Sequence, residues 1–293
     1  MQSKINLLNL NQKALDEFFK KLGEKSYRTK QIMKWIYKDQ VFDFDQMLNL
    51  SKKLREQLKE ISCIEFPSVV SKSHALDGVI KWVVELGGEN HVEMVYIPEK
   101  DRGTLCISSQ VGCALACTFC STGYQGFNRN LSTAEIIAQV LIANLHLNPA
   151  GKRISNVVFM GMGEPMLNEE AVYSACDLLM DDLSFGLSRR RVTISSSGVV
   201  PALERMSERV PVSLAISLHA PNNTLRDELV PINKKYPIEA LMKACDVYLN
   251  AGTQERHILF EYVMLKGVND SSEHAQQLAQ LLKGVSAKVN LIP

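Results

Sequence analysis

Apolar residues recur at helical spacing through the first sixty residues. Leu15, Phe18, Phe19 and Leu22 mark one helix, and Ile32, Trp35 and Ile36 mark a second. Ser51–Ile61 gives a third short helix with Leu54 and Leu58 inside it. The pattern changes near residue 79. Val79–Leu86 reads as a strand, Gly87-Gly88 as a turn, and His91–Ile97 as a second strand, which together predict a β-hairpin.

From residue 104 strands and helices alternate. Candidate strands are Thr104–Ser108, Asn156–Met160, Arg191–Ser195, Val212–Ser217, Ile258–Met264 and Ala287–Ile292; helical stretches cover 132–147, 169–182, 201–208, 238–250 and 271–283. Ser132 and Glu135 form a capping-box signature, and Pro201 sits in a first helical turn, where its missing N–H is harmless. The fold class is therefore α/β. A small N-terminal helical domain (1–65) and a β-hairpin linker (66–100) precede an open, partial (βα)6 barrel (101–293). Parallel α/β folds collect chemistry at the C-terminal ends of their strands.

Composition narrows the class. Hydrophobic residues at 46% and charged residues at 22% describe a globular chain with a core. No apolar run reaches the roughly 18 residues of a membrane span, and the start of the chain has no apolar leader, so a cytoplasmic protein without membrane contact is expected. Residues 1–60 hold thirteen Lys/Arg against eight Asp/Glu, a balance of +5 in a chain of net charge +1. A basic head on a mildly acidic body fits a polyanionic partner, although a solvated helical surface fits equally well on charge alone.

The chemistry is concentrated at Cys113, Cys117 and Cys120, just after the first strand of the barrel. A reducing compartment argues against a disulfide framework, so clustered thiols point to metal or catalysis. Soft thiolates select zinc or iron–sulfur centres. Structural zinc takes four ligands and electron-transfer clusters take four cysteines, but only three are clustered here. Three thiolates on a 4Fe–4S cluster leave one iron open to a substrate. The remaining readings are three buried structural cysteines, or zinc with a distant fourth ligand.

Met160-Gly161-Met162-Gly163-Glu164-Pro165 closes the second barrel strand. Its glycines permit close backbone approach, and Glu164 can accept from an ammonium. Met166 stands where a dinucleotide fingerprint needs a third glycine. Ser195 ends the third strand, Ser217-Leu218-His219 ends the fourth, and Asn290 lies on the last. Their hydroxyls, imidazole and amide suit a ribose and a carboxylate.

C-x3-C-x2-C with Phe119 before its last cysteine resembles the radical S-adenosylmethionine superfamily. Longer stretches make the resemblance narrower: Glu93–Pro98, Cys106–Cys113, Gly126–Leu131, Ser217–Asn222 and Val230–Tyr236 are similar to the dual-specificity RNA methyltransferases. That family implies methylation of adenine carbon 2 in 23S rRNA and in tRNA next to the anticodon. It implies a 4Fe–4S cluster on Cys113, Cys117 and Cys120. It also implies S-adenosylmethionine held by Gly163, Glu164, Ser195, Ser217, Leu218, His219 and Asn290. Adenine carbon 2 is too electron-poor to attack the cofactor's methyl directly, which is why the family uses a radical on a methylated cysteine. By the same resemblance Glu93 is the proton acceptor and Cys106 the resolving cysteine, which closes a disulfide as product leaves. The helical head resembles the family's accessory RNA-binding domain. A flavodoxin-type electron donor and a monomeric enzyme are also implied.

The family continues past residue 293 through a segment bearing the methyl-carrying cysteine, and Cys63, Cys176 and Cys245 read as core residues instead. The expectation is thus a C-terminally truncated chain that binds both cofactors without methylating RNA. Two alternatives stand beside it: a Cfr-type activity on adenine carbon 8, and a non-catalytic RNA-binding protein bearing a cluster or zinc.

Overall fold

The computed structural model describes residues 4–251 and 256–293. The part of the N-terminal reading that rests on Met1–Ser3 lies outside the described residues. The chain divides into two compact units. One comprises residues 1–107, 131–157 and 170–192; the other comprises 108–130, 158–169 and 193–293.

The first unit opens with β1 (Ile5–Asn6), which pairs in parallel with β2 (Ser62–Cys63). Between them stand the three expected helices, Gln12–Lys21, Tyr27–Met33 and Lys52–Ile61. Asn11 and Ser51 cap the first and third by accepting from the amides of Ala14 and Leu54. Leu15, Phe19, Ile32, Ile36, Leu54 and Leu58 are buried, so the apolar periodicity became one small core. Trp35 falls in a π-turn, Lys34–Lys38, that continues the second helix.

The rest of that unit's sheet is antiparallel: β3 (Ser68–His74), β4 (Ile80–Glu85), β5 (His91–Pro98) and β6 (Gly103–Cys106) pair in sequence order. β3 was not anticipated. Its sequence, Ser-Val-Val-Ser-Lys-Ser-His, is largely exposed and offers no alternating apolar face to detect. β4 and β5 do alternate, burying Ile80, Trp82 and Val84 against Val92, Met94 and Tyr96. The helix Thr133–Leu147 carries the predicted capping box and is buried on nearly every side.

In the second unit β7 (Gln110–Gly112) and β8 (Phe127–Asn130) form an antiparallel hairpin around the cysteine loop, a second feature absent from the sequence reading. β9 (Asn156–Phe159) enters this unit at Val158. β10 (Val192–Ser196), β11 (Ser213–Ser217), β12 (Ile258–Val263) and β13 (Ala287–Ile292) then pair in parallel in sequence order. Helices Val200–Arg209, Ile238–Asn250 and Ser272–Leu281 alternate with these strands as expected. An additional helix, Asn223–Leu229, follows β11. Ile194, Leu214, Ile216, Ile258 and Phe260 fill the interior with Leu203, Met206, Leu241 and Ala244 of the helices.

Ser132 Oγ accepts from Glu135 N at 3.3 Å while Glu135 Oε2 accepts from Ser132 N at 2.8 Å. Ser132→Ala removes the first of these and is expected to cost about 1 kcal/mol of unfolding free energy. Denaturant titration checks this, and a midpoint equal to that of the parent would show the cap to be inert.

Candidate active site

The cysteine loop begins where the β7–β8 hairpin forces the chain into a tight approach. Gly112 has φ +72°, and a Cβ there would collide with the Gly126 carbonyl. The Cys113 amide donates to that carbonyl at 2.9 Å. Ala116, just before Cys117, holds φ +51°, which is uncommon for a residue with a Cβ. Leu115, Cys117, Phe119 and Cys120 pack against Ala220, Leu225, Leu229, Val230 and Ile232. The Thr118 amide donates to the Leu229 carbonyl at 3.1 Å. The Val230–Tyr236 motif thus serves, in part, as the floor of the cysteine loop.

Cys113, Cys117 and Cys120 line a single cavity with Gly163, Glu164, Ser195, Ser217, His219 and Glu261. Every one of these residues belongs to the second unit. Burial pushes the Cys117 thiol up to about 12, and the neighbouring Cys113 and Cys120 push the same way. Burial likewise raises Cys113. In the metal-free protein both therefore carry protons at neutral pH, and metal capture must release them. Among the described residues no three or more His, Cys, Asp or Glu converge as a single-ion site. Three soft donors opening on one cavity, with no fourth convergent ligand, fit a polynuclear iron–sulfur cluster bound at three corners better than tetrahedral zinc.

Glu164 is fixed from both sides of its carboxylate. Oε1 accepts from the Met166 amide at 3.1 Å and Oε2 from the Ser197 amide at 2.8 Å. Burial raises its pKa, and these bonds to the ionised form oppose the rise. Its own amide donates to Gln110 Oε1 at 2.8 Å, while Gln110 Nε2 donates to Asn130 Oδ1 at 2.8 Å. Gly163, at φ +97°, has no room for a side chain, because a Cβ would strike Gln110. Gln110 thus ties the hairpin of the cysteine loop to the Gly163-Glu164 turn. The sequence reading passed over it within the Cys106–Cys113 motif, although a polar residue three positions before a ligand was the available signal.

Ser195 Oγ and Ser217 Oγ lie 3.5 Å apart across β10 and β11. His219 holds φ +57° and stacks edge-on against Phe119, with ring centroids 4.5 Å apart. Its Nδ1 accepts from the Val263 amide at 3.1 Å, which leaves the proton of the neutral ring on Nε2. Burial first, and Arg226 second, hold its pKa down to about 3. Leu218 is buried; its amide donates to the Glu261 carbonyl and its own carbonyl accepts from Arg226 Nε, both at 3.1 Å. Asn290 does not line the cavity directly; its Nδ2 donates to Glu261 Oε2 at 2.7 Å.

Glu93 and Cys106 belong to the first unit. Glu93 is exposed on β5 and pairs with Lys81 Nζ at 2.9 Å. Cys106 ends β6, half-buried. The disulfide implied by the family resemblance is not present: all seven cysteines are free thiols, Cys176 and Cys245 buried and Cys63 partly so.

Two residues missed entirely are Arg226 and Glu261. Arg226 is fully buried and donates to the carbonyls of Ser197, Ser217 and Leu218 and to Asn233 Oδ1, between 2.7 and 3.1 Å. Glu261 was legible as a lone carboxylate within the apolar run Ile258–Val263.

A thiol triad and a buried glutamate around one cavity at the ends of parallel strands define a radical S-adenosylmethionine protein. The radical SAM superfamily model matches residues 107–279, and the ribosomal RNA large subunit methyltransferase N-terminal domain matches residues 5–64. The dual-specificity RNA methyltransferase RlmN of Vesicomyosocius okutanii is 76% identical over 99% of this chain and 82% of its own length. That of Ruthia magnifica is 72% identical over the same shares. A crystal structure of a radical SAM methyltransferase from Sphaerobacter thermophilus superposes with a TM-score of 0.91 at 41% identity, covering 99% of this chain and 85% of that one. The chain belongs to the RlmN family of dual-specificity RNA methyltransferases, and its fold is the radical SAM partial barrel.

His219 supplies a pH test of the site. A histidine held neutral in the folded state, with pKa about 3 against 6.5 unfolded, contributes stability that is fully present above the unfolded value. That contribution falls as pH drops from 6.5 toward 3, by up to about 1.4 kcal/mol per pH unit. Urea unfolding of the metal-free chain at pH 7 and pH 5 is expected to show a smaller loss for His219→Gln than for the parent. Equal losses would mean that His219 titrates normally.

Proposed function

We propose that this chain is a radical S-adenosylmethionine enzyme of RNA. It acts on an adenine of 23S rRNA and of tRNA, at carbon 2, the position that the sequence resemblance implies. The observation that carries this reading is the convergence of Cys113, Cys117, Cys120 and Glu164 on one cavity. The three thiolates would hold a 4Fe–4S cluster. When bound, such a cluster supplies the electron that cleaves the cofactor's C–S bond homolytically.

The protein's part is placement. Glu164, already oriented by two backbone amides, keeps lone pairs for the cofactor's ammonium. Gly163 lets the backbone approach. Ser195 and Ser217 offer hydroxyls, and neutral His219 offers Nε2–H. Leu218, with both backbone groups engaged, contributes packing, and Asn290 contributes its amide. The apolar wall of Phe119 and Phe159 excludes water from a reactive intermediate. Glu93 is the proposed acceptor for the proton leaving the modified carbon, and Cys106 the proposed resolving thiol, each matched by position to the family.

Residues 1–65 form the proposed RNA-binding head, 66–100 a linker and 101–293 the catalytic barrel. Splayed, single-stranded target bases suit such a site, because a base inside a duplex cannot reach a cavity. No helix among the described residues is long and apolar enough to cross a membrane. A cytoplasmic monomer drawing electrons from a flavodoxin-type donor completes the proposal.

Anaerobic reconstitution with iron and sulfide tests it. Adding S-adenosylmethionine to the reduced protein is expected to shift the electron paramagnetic resonance spectrum of the cluster. Cys117→Ser is expected to lose the cluster signal, while Glu93→Gln keeps both the signal and its shift. A zinc-loaded protein, or a cluster spectrum indifferent to S-adenosylmethionine, would overturn the reading.

A further inference from the structure

The cavity contains a second buried carboxylate to which neither the motifs nor the family resemblance gave a role. Glu261 is 7% exposed and lines the cavity from β12. Its position follows from strand register. Ser217 of β11 is paired with Glu261, and Glu261 with Asn290 of β13. In a parallel sheet paired residues project to the same face, so Ser217, Glu261 and Asn290 form one polar row across three strand ends. The two outer members of that row are residues already proposed to contact the cofactor. The middle one is the carboxylate.

Its hydrogen bonding is half complete. Oε2 accepts from Asn290 Nδ2 at 2.7 Å, while Oε1 accepts from no group among the described residues. Glu261 lines the cavity, and this oxygen keeps its acceptor capacity for a donor that enters there. The two carboxylates of the cavity are also placed differently. Glu164 is tied through its amide to Gln110, in the hairpin that carries the cysteine loop, at 2.8 Å, whereas Glu261 stands on β12 between Ser217 of β11 and Asn290 of β13. Glu164, fixed beside the cysteine hairpin, is the carboxylate already proposed for the cofactor's ammonium. Glu261, on a different strand beside Ser217 and Asn290, is left for neutral donors elsewhere on the ligand. A carboxylate is an acceptor with two oxygens, and a vicinal diol is the matching pair of O–H donors.

We propose that Glu261 accepts hydrogen bonds from the ribose 2′,3′-diol of S-adenosylmethionine, its carboxylate held in place by Asn290. The inference rests on the cofactor reading above and adds a contact residue to it.

The test is equilibrium binding, by calorimetry, to the anaerobically reconstituted protein. Glu261→Gln preserves size but replaces one acceptor by a donor. It is expected to weaken S-adenosylmethionine binding about tenfold or more, with iron content unchanged. The loss is expected to vanish for the 2′,3′-dideoxy analogue, which parent and variant bind alike. The parent alone also tests the point, because it is expected to bind the dideoxy analogue about tenfold more weakly than the cofactor, whether or not the variant folds. Parent-like affinity in Glu261→Gln, or a loss that persists undiminished with the dideoxy analogue, would overturn the assignment. A parent that binds no S-adenosylmethionine at all would instead sink the cofactor reading itself.

Discussion

A guanidinium sealed from water must have its N–H groups occupied by protein, and Arg226 meets that demand with the ends of the strands that build the site. Four hydrogen bonds run from it to the carbonyls of Ser197, Ser217 and Leu218 and to the Asn233 side chain. Those carbonyls belong to the chain just after β10 and at the end of β11, where the backbone leaves the sheet. Strand ends otherwise expose unpaired acceptors, and three of them are drawn onto one side chain here. Burial lowers the Arg226 pKa only to about 10, so it stays charged at neutral pH and the bonds are charge-assisted. The arrangement continues outward: Asn233 Nδ2 donates to Asn223 and Asp227, and Asn223 Oδ1 accepts from the Ile238 amide. A polar network this deep is stabilising only when complete, which makes helix Asn223–Leu229 and the turn after it part of the site's foundation.

The cysteine loop depends on that foundation from one side and on Gln110 from the other. Leu229 and Val230, one helical turn after Arg226, supply the backbone acceptor for Thr118 and the apolar bed for Cys117. Gln110 fastens the loop's hairpin to Glu164. The strained φ values of Ala116 and His219 lie on facing parts of this assembly, joined through the Phe119–His219 ring contact. Backbone held in such regions persists where surrounding packing over-determines it. The packing here comes from motifs that are scattered along the sequence and adjacent in space.

Much of this was legible before the fold was known. The helix and strand alternation from residue 104 onward corresponds to observed elements, and most of them, though not helix Ser272–Leu281 or β13, bury an apolar face whose period survives in the sequence. β3 was not legible, since an exposed strand carries no such period, and neither was the hairpin β7–β8, whose pairing is dictated by Gly112 and Gly126 rather than by hydrophobicity. In the site, Cys113, Cys117, Cys120, Gly163, Glu164, Ser195, Ser217 and His219 were identifiable by motif, and all of them line the cavity. Arg226 and Glu261 were not. Motifs read along the chain find neighbours in sequence, whereas both of these residues act across strands. Arg226 reaches from a helix to two strand ends, and Glu261 stands between Ser217 and Asn290 only because of register.

The contrast between Glu164 and Glu261 shows how environment divides work between identical side chains. Burial raises the pKa of both. For Glu164 two backbone amides offset part of that cost, and they also fix the plane of its carboxylate before any ligand arrives. For Glu261 the compensating side-chain donor among the described residues is the amide of Asn290, on an edge strand, and one oxygen is left over. The first carboxylate is preorganised, with each oxygen holding one backbone donor and lone pairs to spare, so a cation adds to it without reorganising it. The second has one oxygen still open to a donor from the cavity. On the proposed reading, such a cavity offers Glu164, tied to the cysteine hairpin, to a charged group and Glu261, on β12, to hydroxyls. A cofactor that carries an ammonium at one end and a ribose several bonds distant matches that order in one orientation only. Under that proposal, selectivity for how the cofactor lies would arise from unequal completion of hydrogen bonds in the cavity.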